Sequence, residues 1–213
     1  MKIIKETTGK YGFPYIAYIP EEVSDHPALC IQLHGAGERG DGGDETDKVL
    51  VHGFSKVVND ENTKDCILVM PQCPTDSFWV AKIESLKQFI DRMLELYHPD
   101  MSRIYLCGLS MGGYGTWYFA TAYPQLFAAI APCCGGGMRW LAPVLKMPIW
   151  TFHGMKDTAV DPYCTIEMVE RLKPLNPNLK YTYFEDVGHN SWDYGFVEET
   201  WKWLLSQRKA DSI

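Results

Sequence analysis

Apolar and polar positions follow two rhythms along this chain. Short apolar, β-branched runs at about 14–20, 28–34, 66–71, 103–108, 127–133, 148–153 and 180–186 predict strands. Most are apolar without interruption, as strands buried on both faces of a parallel sheet are. Stretches of helical period lie between them. The clearest covers about 80–97, where Ile83, Leu86, Phe89, Ile90, Met93, Leu94 and Tyr97 recur every three or four residues until His98-Pro99 stops the helix. Further helices are predicted at about 46–59, 111–122, 162–173 and 192–207, the last with a stripe of Phe196/Val197, Thr200/Trp201 and Leu204/Leu205. Such alternation predicts an α/β fold with helices on both faces of a mostly parallel sheet of about seven strands. The Gly-rich segment Cys134-Gly135-Gly136-Gly137 is too short to divide the chain, so one domain over 1–213 is expected.

Composition then works by exclusion. Hydrophobic residues at 46% and charged residues at 22% describe an ordinary soluble domain rather than a disordered or fibrous one. The net charge of −7, with no Lys/Arg cluster, argues against nucleic acid and anionic membrane as partners. The seven cysteines form no CxxC and no His/Cys set of zinc spacing, so neither a metal nor another cofactor is expected. Several sit inside apolar runs, where a reduced thiol acts as a small hydrophobe, and this suggests a cytoplasmic setting. The N-terminus lacks the apolar region of a signal peptide, and no run approaches the ~20 residues that span a membrane.

Chemistry enters at Gly108-Leu109-Ser110-Met111-Gly112. An apolar strand runs into G-x-S-x-G and then into a helical pattern, the strand–turn–helix setting of a nucleophile elbow. Ser110 must occupy a strained turn to present its hydroxyl, and Gly108 and Gly112 have no side chains to collide there. A serine needs a base, and the base needs a third group to orient it. Downstream, Asp157 follows the strand at 148–153, and His189 follows the strand at 180–186. Asp161 and Asp186 remain rival acids.

With these residues in place, the sequence resembles the α/β-hydrolase superfamily, and more narrowly its small serine esterases: phospholipase/carboxylesterases, dienelactone-hydrolase-like enzymes, and feruloyl or polyhydroxybutyrate-depolymerase-like esterases. The motifs that carry the resemblance are Leu33-His34-Gly35-Ala36-Gly37-Glu38-Arg39-Gly40, Pro71-Gln72-Cys73-Pro74, Gly108–Gly112, His153-Gly154-Met155-Lys156-Asp157 and Gly188-His189-Asn190-Ser191-Trp192. The resemblance implies a minimal α/β-hydrolase fold, with Ser110 as nucleophile, His189 as general base and acid, and Asp157 as the orienting acid. It also implies an oxyanion hole from the backbone amides of Ala36 and Met111. Dienelactone hydrolases proper carry Cys at the nucleophile position, so Ser110 ties that branch to this chain by fold rather than reaction.

Other residues divide between structure and substrate. His34 and His153, at strand ends, are expected to brace loops. Glu38 and Arg39 are read as an internal ion pair stiffening the oxyanion loop, with substrate contact as the alternative. Trp79 and Trp192 are candidate walls of the substrate pocket, with core packing as the alternative. Only about fifteen residues separate the strands ending near 133 and beginning near 148, too few for a lid domain. The expected activity is hydrolysis of small or aromatic acyl esters, including those of acylated carbohydrates, in an open cleft. A thioesterase or peptidase of the same fold, and a non-catalytic ligand-binding protein, are the alternatives. Oligomeric state is not legible.

Overall fold

A computed structural model describes residues 1–209. Its centre is an eight-stranded sheet: β1 (Lys2–Glu6), β2 (Tyr15–Ile19), β3 (Ala28–Leu33), β4 (Cys66–Pro71), β5 (Ile104–Leu109), β6 (Ala129–Cys133), β7 (Ile149–Gly154) and β8 (Leu179–Phe184), in the order β1-β2-β4-β3-β5-β6-β7-β8. β2 pairs antiparallel with β1 and β4, and every later pairing, from β4–β3 to β7–β8, is parallel. From β3 the chain crosses outward to β4 and then back past β3 to β5. The strand order therefore reverses between β3 and β5, where an open α/β sheet leaves a crevice beyond its carboxyl ends.

Alternation along the central strands decides which face each side chain joins. Leu29, Ile31 and Leu33 of β3 pack on one face with Leu86, Phe89, Ile90 and Met93 of α1 (Ile83–Tyr97), Trp117 and Phe119 of α2 (Met111–Ala122), and Met168 and Leu172 of α3 (Tyr163–Leu172). Ala28 and Cys30 of the same strand face the other layer. There Phe54, Phe196, Trp201 and Leu204 cover Leu68, Tyr105 and Cys107. Burying a large apolar side chain contributes ~1.5–3 kcal/mol, so both layers are needed to offset the chain entropy of a sheet this wide.

Three expectations change. The sheet has one strand more than expected, because β1 was not foreseen. Lys2-Ile3-Ile4-Lys5-Glu6 is short and charged at both ends, the composition that protects an exposed edge. The helix expected at 46–59 is two 3₁₀ segments, Gly43–Leu50 and Gly53–Lys56. Gly53 has φ 87°, and the buried Gln32 side chain holds the break, accepting from Phe54 N at 2.6 Å and donating to His52 O at 3.1 Å. The helix expected at 192–207 is split into α4 (Trp192–Gly195) and α5 (Glu198–Ser206) by an extended Val197. Between β6 and β7 there is one 3₁₀ turn, Ala142–Val144, and no inserted domain. No helix among the described residues is long and apolar enough to cross a membrane.

Candidate active site

The crevice at the strand reversal is where the motifs converge. Ser110 stands alone between β5 and α2 with φ 54° and ψ −117°, a left-handed backbone that disfavours a side chain. The turn is held by Ser110 N donating to Cys133 O at 3.0 Å and Tyr114 N donating to Ser110 O at 3.0 Å. A Cβ on Gly108 would fall on the Gly112 carbonyl, and one on Gly112 would fall on the Leu33 carbonyl at the end of β3. These close approaches are why the serine is flanked by glycines two residues away on each side.

His189, in the loop after β8, places Nε2 2.8 Å from Ser110 Oγ and Nδ1 2.7 Å from Asp157 Oδ2. The other oxygen of Asp157 accepts from the amides of Ala159 at 2.8 Å and Val160 at 2.9 Å. Burial pushes the Asp157 carboxyl up, but the Val160 and Ala159 amides and the His189 ring outweigh it and hold it below its usual range. It is therefore ionised at neutral pH. The rival acids are elsewhere. Asp161 accepts from Tyr163 N at 2.9 Å at the start of α3, and the exposed Asp186 pairs with Lys156 at 2.6 Å.

Beside Ser110 lies the loop after β3. Gly35 packs against the Leu109 and Ser110 side chains, which brings the exposed Ala36 next to the elbow. Among the described residues neither the Ala36 nor the Met111 N–H donates to a protein acceptor, and Met111 is the first residue of α2, where amides point away from the helix. Both N–H groups are thus free to take a further acceptor.

This loop is stiffened from below. His34 Nδ1 donates to Gly35 O at 2.6 Å, and its Nε2 accepts from Cys73 N at 2.9 Å, which fixes a neutral tautomer. Burial lowers its pKa to about 4. Glu38 and Arg39 do not pair with each other, contrary to expectation. Each instead holds backbone: Glu38 Oε2 accepts from Gly35 N at 2.8 Å, and Arg39 Nε donates to Ala36 O at 2.9 Å. Backbone groups in a tight loop outnumber charges and sit nearer to hand.

Trp79 is not a pocket wall. It is 0% exposed, its Nε1 donates to His34 O at 3.0 Å, and its ring meets His34 and Phe13 edge-on. Trp192 is 9% exposed and lies edge-on to His189, with ring centroids 5.2 Å apart. Its Nε1 is buried and has no acceptor among the described residues. Two further residues border the site: His153, which braces the loop after β7 as expected, with Nε2 3.1 Å from Val160 O, and Cys134, which sequence reasoning passed over. His153, buried at the end of β7, places Nε2 3.2 Å from Asp157 Oδ2. Cys134, after β6, has φ 41° and a buried thiol whose sulfur lies within 4.8 Å of ligand atoms of Asp157 and His189. The one sequence signal for Cys134 was a side chain beside three glycines.

Several known proteins are similar to this chain. Residues 15–201 match the sequence profile of the Phospholipase/Carboxylesterase family. A bifunctional acetylxylan esterase/xylanase, XynS20E of Neocallimastix patriciarum, is 36% identical over 90 residues, which are 40% of this chain and 12% of that much longer protein. Feruloyl esterase B of Neurospora crassa is 25% identical over 201 residues, covering 72% of this chain and 67% of that one. Among solved structures, a thermostable esterase superposes with a TM-score of 0.84 at 29% identity, covering 97% of this chain and 63% of that chain.

Proposed function

The chain belongs to the phospholipase/carboxylesterase family, and on that premise we propose that it is a serine carboxylesterase acting on small or aromatic acyl esters, among them those of acylated carbohydrates. The observation that carries the reading is the continuous path from Ser110 Oγ to His189 Nε2 at 2.8 Å and from His189 Nδ1 to Asp157 Oδ2 at 2.7 Å. Both lie within the reach that proton transfer needs.

The chemistry follows from those contacts. His189 Nε2 takes the Ser110 proton as Oγ bonds to the ester carbonyl carbon, and the resulting imidazolium is stabilised by the ionised Asp157. The carbonyl oxygen becomes an oxyanion held by the Ala36 and Met111 amides. As the tetrahedral intermediate collapses, the C–O bond to the alcohol breaks and His189 returns its proton to that oxygen. Water, deprotonated by His189, then cleaves the acyl-serine by the same route and restores Ser110.

Two observations favour the substrate class. The stretch between β6 and β7 holds a 3₁₀ turn and no lid, which suits soluble esters or acyl groups on a bulky alcohol. The relatives described above are a feruloyl esterase and an acetylxylan esterase. The test is a panel of p-nitrophenyl acetate, methyl ferulate, acetylated xylan, an acyl-thioester and an aminoacyl anilide. Turnover of the esters ahead of the other two is expected, with Ser110→Ala roughly 10⁶-fold slower. Faster turnover of the thioester or anilide would overturn the ester assignment.

A further inference from the structure

The strand ends deliver one group of metal-binding donors that the mechanism leaves partly unused. Cys134 follows β6, Asp157 follows β7 and His189 follows β8, and one ligand atom from each lies within 4.8 Å of the other two. We propose that Cys134, Asp157 and His189 form an inhibitory site for a thiophilic divalent cation such as Zn²⁺, which replaces the proton shared by His189 and Asp157.

Donor chemistry and charge both fit. A thiolate, an imidazole and a carboxylate are each common zinc ligands at ~2.0–2.3 Å, and three protein ligands leave a fourth position for water. The Asp157–His189 separation of 2.7 Å has to widen slightly to admit an ion, a small rotation for a ring on a loop. The proton balance is explicit. Cys134 Sγ loses its proton to solvent, the single ring proton of neutral His189 moves from Nδ1 to Nε2, and Asp157 is already ionised, so one proton passes to solvent for each zinc bound. One dication with a thiolate and a carboxylate sums to zero charge, as this site requires, since Cys134 is 0% and Asp157 7% exposed. Affinity therefore rises with pH. Mg²⁺ and Ca²⁺, which select oxygen ligands, do not compete.

With zinc in place His189 cannot be oriented by Asp157, and ester turnover stops. This effect on rate rests on the esterase reading, whereas binding does not. The test uses the whole protein with Co²⁺ as a spectroscopic probe and buffered Zn²⁺ as inhibitor. A thiolate-to-cobalt band that saturates at one ion per chain is expected, and Cys134→Ala should lack it. Ester hydrolysis should fall at least about tenfold at micromolar free Zn²⁺ and recover on chelation, and Cys134→Ala should need ~10–100-fold more zinc while keeping its basal rate. Absence of the band from the wild-type protein, or equal zinc sensitivity in the variant, would overturn the site. Should Cys134→Ala fail to fold, calorimetry of the wild-type protein in two buffers decides: release of about one proton per zinc supports the site, and release of none refutes it. A protein with the cobalt band and no ester turnover would retain the metal site and lose the esterase reading.

Discussion

His153 Nε2 lies 3.2 Å from Asp157 Oδ2, the same oxygen that receives His189 Nδ1. His153 Nε2 is also 3.1 Å from Val160 O, and its Nδ1 is 2.7 Å from Thr165 Oγ1. Burial lowers the His153 pKa and keeps the ring neutral. Both neighbours of Nε2 are acceptors, so Nε2 carries the hydrogen, while Thr165 Oγ1 shares its single hydrogen between His153 Nδ1 at 2.7 Å and Gly135 O at 2.6 Å. The Asp157 carboxylate thus has donors facing it on every side.

From this contact we expect His153→Leu to lower kcat by about tenfold, the scale of one hydrogen bond to a charged group. His153→Gln, which can keep an N–H near the Nε2 position, should recover most of that loss. With one donor gone, Asp157 holds the His189 imidazolium more strongly, so the acid limb of the kcat/KM profile in His153→Leu moves to higher pH. Equal losses in both variants with an unmoved limb would reduce His153 to packing.

His34 makes stability depend on pH. Its folded pKa of about 4 lies below the ordinary 6.5, so between these values the unfolded chain binds a proton that the folded chain does not. Its contribution is complete above pH 6.5 and is lost as pH falls toward 4. From pH 7 to pH 5 the wild-type protein should lose about 2 kcal/mol by urea denaturation. His34→Gln should show a flatter dependence, although it is less stable at pH 7. An unchanged slope in the variant would contradict the assignment.

Glu38 supports the oxyanion loop through the Gly35 amide at 2.8 Å. Glu38→Ala leaves that buried N–H without an acceptor and should destabilise the protein by ~1–3 kcal/mol. It should also lower kcat more than it raises KM, because the loop's disorder displaces the Ala36 amide. Glu38→Gln keeps an oxygen in place and should lie close to wild type. An increase in KM alone would instead make Glu38 a substrate ligand.

Trp192 tests packing against bonding. Its indole N–H has no acceptor among the described residues, so Trp192→Phe removes an unpaired donor and keeps a ring beside His189. Denaturation should show a change within about 1 kcal/mol, set against ~3–5 kcal/mol for Trp192→Ala. A loss above ~2 kcal/mol for Trp192→Phe would reveal a hydrogen bond that the side chain makes in solution.

Much of the architecture was legible because parallel, doubly buried strands such as β3, β4 and β5 leave uninterrupted apolar runs, and G-x-S-x-G encodes its own turn. β1 escaped because five residues with charged ends carry little signal. The breaks at Gly53 and Val197 depend on tertiary contacts, including the Gln32 side chain from a distant strand. Trp79 shows a related limit: composition identifies an aromatic residue, but its facing is set by the His34 carbonyl and Phe13. Cys134, Asp157 and His189 have no zinc spacing in sequence because they converge only at the ends of three parallel strands. Spacing within one loop is visible in a sequence, and convergence between loops is not.

The central claim is that Ser110 is a nucleophile activated by His189 and Asp157. Peptide mapping by mass spectrometry after reaction with a fluorophosphonate tests it most directly. The account predicts one phosphonyl adduct, on Ser110, absent from Ser110→Ala and formed far more slowly in His189→Ala and Asp157→Asn. An unlabelled protein, or an adduct on Ser110 that forms equally fast in all three backgrounds carrying the serine, would contradict it.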